Sequence, residues 1–157
     1  MSQDPPTTSG SRIRQVEAIS NGSVIDHIPT AVTLKVAAML AGSGDQLFIG
    51  ANLRSSRMGR KGVVKIAGRE ISAHAASCLA LLAPGATVSI IHDYQVLRKL
   101  PVEVPAEFTD VARCANPNCV TNHERWSSRL AVVGREPLRV RCCYCERSFL
   151  GTDLALM

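Results

Sequence analysis

The chain has 157 residues, 18 Lys and Arg against 13 Asp and Glu, a formal net charge of +5 and 46% hydrophobic residues. That length allows one domain or two small ones, and the apolar share is enough for a packed core. No apolar run approaches the roughly 20 residues of a membrane span, and the polar opening Met1–Gly10 does not read as a secretory leader, so a reduced, cytoplasmic setting is expected.

Residues 1–12 hold Pro5-Pro6 followed by Thr, Ser and Gly without periodicity, and read as a flexible tail. Gln15 to Ile19 alternates like a first strand that ends at the turn Asn21-Gly22. After Val24-Ile-Asp-His-Ile28, Pro29 suits the first turn of a helix whose stripe is Val32, Val36, Met39 and Leu40, stopped by Gly42-Ser-Gly44. Leu47, Ile49, Ala51 and Leu53 alternate in the next strand, and Val63–Ile66 supplies another, with a Ser/Arg/Gly loop from Arg54 to Gly62 between them.

Ser72 can cap a second helix with the stripe Ala75, Ala76, Leu79, Leu82 and Ala83, ended by Pro84-Gly85. Ala86–Ile91 is a further strand, followed by a segment through Tyr94 and Val96. The order β-α-β-β-α-β is the split arrangement of a ferredoxin-like domain, expected over residues 13–103. Pro101 and Pro105 bracket a linker. Beyond it, residues 104–157 offer short strands at Arg129–Val133 and Leu138–Arg141, a small antiparallel sheet too poor in core to fold unaided. The expected class is therefore α+β, a ferredoxin-like unit followed by a small antiparallel β unit.

What would close that second unit is its cysteine set. Cys114-Ala-Asn-Pro-Asn-Cys119 is separated by 22 residues from Cys142-Cys-Tyr-Cys145. Two close pairs at that separation can bring four thiolates onto one tetrahedral Zn²⁺, and four sulfur ligands leave no open position, so the ion reads as structural. Disulfides would need an oxidising compartment, and a thioredoxin-like pair at Cys142 and Cys145 would leave Cys114 and Cys119 idle. Cys143 faces the other way by alternation, and Cys78 reads as a small buried residue within the second helix.

The charge divides unevenly. Residues 13–103 hold ten Lys and Arg against six acids, and residues 104–157 hold seven Arg against six. With four thiolates and Zn²⁺ the second unit is near −1, unlike a zinc ribbon that grips nucleic acid. Positive charge gathers in the first unit at Arg54, Arg57, Arg60, Lys61 and Lys65, where it makes either a solvated edge or, with His27, a polyphosphate site. Asp26-His27 alone is as well explained by a capped turn, and no nucleophile–base pair, Walker loop or Rossmann glycine signature is present.

Several segments occur in a specific order: Glu17-Ala-Ile, Val24-Ile-Asp-His-Ile-Pro29, Ile49-Gly-Ala-Asn-Leu53, Met58-Gly-Arg-Lys61 with Val64-Lys-Ile66, Leu79-Ala-Leu-Leu-Ala-Pro84 with Ala86-Thr-Val88, and the two cysteine pairs with Glu146. In this the chain resembles the regulatory chain of aspartate carbamoyltransferase over nearly everything after the tail. The resemblance implies a non-catalytic subunit in pyrimidine biosynthesis. Its first domain would bind CTP and UTP as inhibitors and ATP as activator, and its zinc domain (104–157) would dock on the catalytic chain. Regulatory dimers would join catalytic trimers into a dodecamer.

Carried over by position, the resemblance implies that Val16, Glu17, Ala18 and Ile19 line the nucleotide, largely through backbone groups. Asp26 would meet the ribose or phosphate region and His27 the phosphates. Lys65 would lie at the ribose and base edge, and Lys99 would reach the phosphates. Ile91, Tyr94 and Val96 would wall the base, and Ser89 stands where an Asn commonly touches the nucleotide. Lys61 would sit near a second nucleotide, where Mg²⁺ can bridge triphosphates. Cys114, Cys119, Cys142 and Cys145 match the zinc ligands.

Overall fold

The computed structural model describes residues 17–157, so the expected tail, Gln15 and Val16 lie outside the described residues. The first sheet is built from β1 (Gly22–Ile28), β2 (Leu47–Ser55), β3 (Gly59–Ala67), β4 (Thr87–His92) and β5 (Gln95–Pro101), in the order β2-β3-β1-β4-β5. Helix α1 (Thr33–Leu40) follows β1, and α2 (Ala73–Leu82) follows β3. All pairings are antiparallel, which gives the expected ferredoxin-like order with β5 added as an outer strand. A second antiparallel sheet holds β6 (Glu107–Thr109), β7 (Arg129–Arg135), β8 (Leu138–Cys142) and β9 (Ser148–Leu150) in sequential order.

Three expectations need correction. Among the described residues the first strand is Gly22–Ile28, while Glu17–Ile19 runs as irregular chain. Alternation in that segment reflects one buried side chain, Ile19, rather than strand pairing. Arg54–Gly62 is not a loop: β2 and β3 continue into it as a hairpin, leaving only Ser56–Met58 as the turn. The apolar alternation along β2 does not mark one buried face: Ile49, opposite the buried Val64, keeps 46% exposure on an outermost strand, and Ala51 is exposed where a bulge lies between Gly50 and Leu53, with Asn52 at φ 58°.

Helix α1 follows its sequence stripe: Val36 and Leu40 are buried, and Val32 is buried in the 3-10 turn Thr30–Val32 that leads in. Pro29 starts that turn, its carbonyl accepting from Val32 N at 3.0 Å and from Thr33 Oγ1 at 3.1 Å. Gly62 of β3 makes room for this start, since a Cβ there would collide with the Thr33 side chain. Ser72 caps α2 by accepting from Ala75 N at 3.1 Å. The β4–β5 connection is the two-residue turn Asp93-Tyr94, with φ 48° and 64°, a twist that matches the flanking strands.

Two cores result, and α2 belongs to both. Leu79, Leu82 and Ala83 pack with Ile25, Val36 and Ile66 between the helices and the first sheet. Cys78, Ala80 and Leu81 pack with Phe108, Leu130, Val140 and Leu154 of the second unit. Residues 78–83 are all buried, so this end of the helix has no solvent face. Fully burying Leu81 contributes roughly 1.5–3 kcal/mol by transfer, and here that surface is covered from across the linker. Gly151 lies against it closely enough that a Cβ would come within 2.6 Å of the Leu81 carbonyl oxygen. Lys35 of α1 adds a polar clamp, donating to the carbonyls of Thr152 at 2.7 Å and Leu154 at 3.2 Å.

Candidate functional site

In the first sheet Ile25, Val64 and Val88 face the helices, so their strand neighbours project from the opposite, open surface. Register then sets one row across four strands: Lys65 on β3, Val24 on β1, Ser89 on β4 and Lys99 on β5. The next row carries Asp26 beside Thr87. Toward the other end Ile91 pairs with Val96. Residues far apart in the chain thus share one face because the period-two pleat and the register agree.

Asp26 and Lys61 are joined on this face, with Lys61 Nζ 2.8 Å from Oδ1 and 3.0 Å from Oδ2. Burial is the largest single influence on the Asp26 carboxyl and opposes its ionisation. Hydrogen bonds from Lys61 and from the His27 backbone N–H, the latter 2.6 Å, together outweigh it and hold the carboxyl below its usual pKa. His27 takes φ 60° where β1 bulges, and its Nδ1 lies 3.3 Å from Thr87 Oγ1. Lys65 Nζ donates to the Glu17 carbonyl at 2.6 Å, and Tyr94 N donates to the Ser20 carbonyl at 2.9 Å, which ties the 17–21 segment along the sheet.

The structure therefore gathers Asp26, His27, Lys61, Lys65, Ser89, Ile91, Val96 and Lys99 on or beside one open face. Glu17, Ala18 and Ile19 border it, with Ile19 buried, and Tyr94 stands at the hairpin tip, 70% exposed. Val16 lies outside the described residues. Arg54, Arg57 and Arg60 separate from Lys61 and Lys65 and ride the exposed end of the β2–β3 hairpin, where Arg60 donates to the Asn52 carbonyl at 3.2 Å. Thr87 was not singled out by the sequence; only the pairing of β1 with β4 brings it to His27. A groove of about 660 Å³ lies elsewhere, between α2, β5 and the 101–105 linker, with mainly apolar walls and the 3.2 Å Arg98–Glu70 ion pair at its edge. Size alone is a poor guide here, because three lysines sit on the open face and none lines the groove.

In the second unit the Sγ atoms of Cys114, Cys119, Cys142 and Cys145 all lie within 4.8 Å of one another. Cys114 and Cys145 are 3.6 Å apart, and Cys119 and Cys142 are 3.7 Å apart. A tetrahedron with Zn–S bonds of ~2.3 Å has edges of about 3.8 Å, so this donor set fits Zn²⁺. Three of the four residues are buried and Cys145 is half-buried. Burial pushes the Cys114 and Cys142 thiols up, an unfavourable state for bare thiolates that a cation relieves. For Cys145 burial is again the largest influence, but hydrogen bonds from Arg147 N–H and the Asn116 side chain bring it down to about 7. Cys119 is likewise held below its ordinary value, burial being outweighed by the hydroxyl and backbone N–H of Thr121.

The loops that present these sulfurs are fixed from behind. Asn122 Nδ2 donates to the carbonyls of Cys114 at 2.9 Å and Asn116 at 2.8 Å, while Asn116 Oδ1 accepts from Asn118 N at 3.2 Å. Such supports orient ligands before the metal arrives. Sequence reading passed over both asparagines, although their place beside the knuckle was a usable signal. Cys143 is exposed, 3.7 Å from Glu107, and Cys78 is buried beside His74 at 3.5 Å, so neither joins the cluster.

Comparison with known proteins gives matches along both units. Residues 14–103 match the family described as aspartate carbamoyltransferase regulatory chain, allosteric domain. Residues 106–155 match its metal binding domain. The aspartate carbamoyltransferase regulatory chain of Thermococcus kodakarensis is 44% identical over 144 residues, 90% of this chain and 95% of that protein. That of Thermococcus onnurineus is 48% identical over 143 residues, 89% and 95% of the two chains. The regulatory chain of Methanosphaera stadtmanae is 44% identical over 143 residues, 89% and 94%.

Proposed function

The chain belongs to the family of aspartate carbamoyltransferase regulatory chains, a non-catalytic subunit of a pyrimidine-biosynthesis enzyme, and we propose that it senses nucleoside triphosphates on its first sheet and passes the effect to catalytic chains through a zinc-bound second unit. In this reading residues 13–103 are the allosteric domain, residues 104–157 the docking domain and residues 1–12 a flexible tail. CTP, with UTP, inhibits and ATP activates. The assembly is a cytoplasmic dodecamer of regulatory dimers and catalytic trimers.

The observation that carries the effector assignment is the open face itself, where Lys61, Lys65 and Lys99 accompany Asp26. Lysine ammoniums suit triphosphate as mobile point charges. Lys99 and His27 take the phosphates, and Lys65 with Asp26 holds the ribose side. Ile91, Tyr94 and Val96 wall the base, Ser89 sits between, and Glu17, Ala18 and Ile19, with Val16, offer backbone groups. Lys61 serves a second triphosphate. Among the described residues the four cysteines form the only metal-ligating cluster, so Mg²⁺ here would draw its oxygens from phosphates and water rather than from a protein cage.

The Zn²⁺ is structural. When bound, it supplies no reactive position, only four bonds that fix the two cysteine loops. A nucleotide can move the catalytic equilibrium only by its difference in affinity for two states of the assembly. A coupling of about 1–2 kcal/mol corresponds to several-fold to tens-fold changes in apparent aspartate affinity. The test is an aspartate saturation curve for the cognate catalytic trimer, with and without this zinc-loaded chain, then with CTP or ATP. Sigmoidal saturation whose midpoint moves with nucleotide is the expected result. A curve that neither the chain nor the nucleotides alter would overturn the proposal.

A further inference from the structure

The second unit carries an exposed tryptophan on a half-buried tyrosine beside its cysteine cluster. Trp126 is 53% exposed and meets Tyr144 edge to face, with ring centroids 5.5 Å apart and an interplanar angle of 70°. The two rings ride on different cysteine loops. Tyr144 sits between Cys142 and Cys145, and Trp126 follows the Cys119 loop, whose Asn122 is tied to Cys114 and Asn116. Beside the indole is a recess of about 220 Å³ bordered by Arg113, Arg125 and Glu124, with Met157 opposite. Neither arginine has an ion-pair partner among the described residues.

Tyr144 packs against the core of the second unit, but the Trp126 ring has no such internal role. Phe108, Leu130 and Val140 already fill the core, and Trp126 is not part of it. Scattered exposed apolar residues such as Val133 are ordinary, but an exposed Trp against a Tyr, flanked by two arginines and a recess, is the composition of a binding hot spot. We infer that Trp126, supported by Tyr144 and flanked by Arg113 and Arg125, is the energetic centre of docking on the catalytic chain, and that the partner surface offers a pocket for the indole with carboxylates at its rim. This rests on the regulatory-chain reading above and adds what that reading leaves open: which residues make the contact, and why the metal matters to it. The two rings meet only while both cysteine loops hold their positions, so metal loss dismantles the patch without touching any residue of the partner.

Trp126 is the only tryptophan in the chain, which makes it its own reporter. The zinc-loaded full chain, labelled with 5-fluorotryptophan, gives one ¹⁹F resonance, and unlabelled catalytic trimer adds none. Titration with trimer should shift or broaden that line at the same concentrations at which the complex forms by sedimentation. Trp126→Ala should raise the dissociation constant at least tenfold. Arg125→Glu should weaken binding and flatten its salt dependence, whereas Val133→Ser should leave affinity unchanged. Zinc content is measured for each variant. If Trp126→Ala loses metal, Trp126→Phe serves instead, with one zinc retained and an intermediate affinity expected. A line that stays still while the complex forms, or a zinc-loaded Trp126 variant that binds within threefold of wild type, overturns this inference and leaves the regulatory reading standing. Failure of the wild-type chain to bind the trimer overturns both.

Discussion

Lys61 and Asp26, 35 residues apart in the chain, hold each other through both carboxylate oxygens, at 2.8 and 3.0 Å. The pair sits where β1 bulges, so it fixes the local backbone as well as the local charge. Burial raises the pKa of this acid, and the hydrogen bonds from Lys61 and the His27 N–H more than offset it, on a face that also carries Lys65 and Lys99.

Lys61→Met should expose this balance. Wild-type Asp26 contributes stability above its ordinary pKa of 3.8, and that contribution fades only as pH falls through the lower folded value. In the variant burial is opposed only by His27, through its backbone N–H and its charge, so the folded pKa rises and the loss begins at higher pH. Stability at neutral pH should fall by on the order of 1 kcal/mol, discounted from a buried pair because the site is partly hydrated. Thermal melts between pH 3 and 7 measure both effects, and an unchanged pH profile would refute the role given to Lys61.

Metal removal should act on one sheet first. A chelator at neutral pH should collapse residues 104–157, since four converging thiols replace part of a hydrophobic core. Because protons compete with the metal for sulfur, zinc should leave more readily at pH 5.5 than at pH 8. Two-dimensional NMR with a zinc-sensitive dye follows both. Retention of the second sheet after complete metal loss would contradict the structural assignment.

How much of this was legible beforehand depends on the range of the signal. Cysteine spacing announced the cluster because ligand geometry is imposed locally on each loop. The stripes of α1 and α2 announced the first core, since the 3.6-residue period is a local property. Alternation failed at Ile49, whose strand lies at the edge of the sheet with only one neighbour, and at Ala51, where the bulge at Asn52 re-aims the strand and nothing in the stretch itself demands it. It failed again over Glu17–Ile19, the described part of the expected first strand, where one buried isoleucine imitated a strand. The row Lys65–Val24–Ser89–Lys99 is a product of register, and no window of sequence contains it; only the family resemblance pointed to Lys65, Ser89 and Lys99 together.

Gly62→Ala should be more harmful than its size suggests. The added methyl meets the Thr33 side chain at the start of α1, and Thr33 is fully buried with its hydroxyl engaged. A loss of roughly 1–3 kcal/mol is expected, with hydrogen exchange fastest at α1 and the adjoining part of β3. Chemical denaturation of the zinc-loaded chain measures it, and a neutral result would mean that α1 can shift without penalty.

Lys35→Met removes two hydrogen bonds to backbone carbonyls near the C-terminus while preserving the aliphatic stem. Amide exchange at residues 152–157 should accelerate several-fold, with little change in zinc content. Unaltered exchange would show that packing of Leu154 alone holds this segment.

The buried end of α2 has a consequence for where this protein can be divided. A fragment ending at residue 103 would keep every strand of the first sheet, yet it would uncover Cys78, Ala80 and Leu81 to water. A fragment beginning at residue 104 would lose the wall against which Phe108 and Leu154 pack. The linker separates two topologies but not two stabilities: severed there, each piece inherits a raw apolar surface, and self-association or aggregation is the expected fate of both.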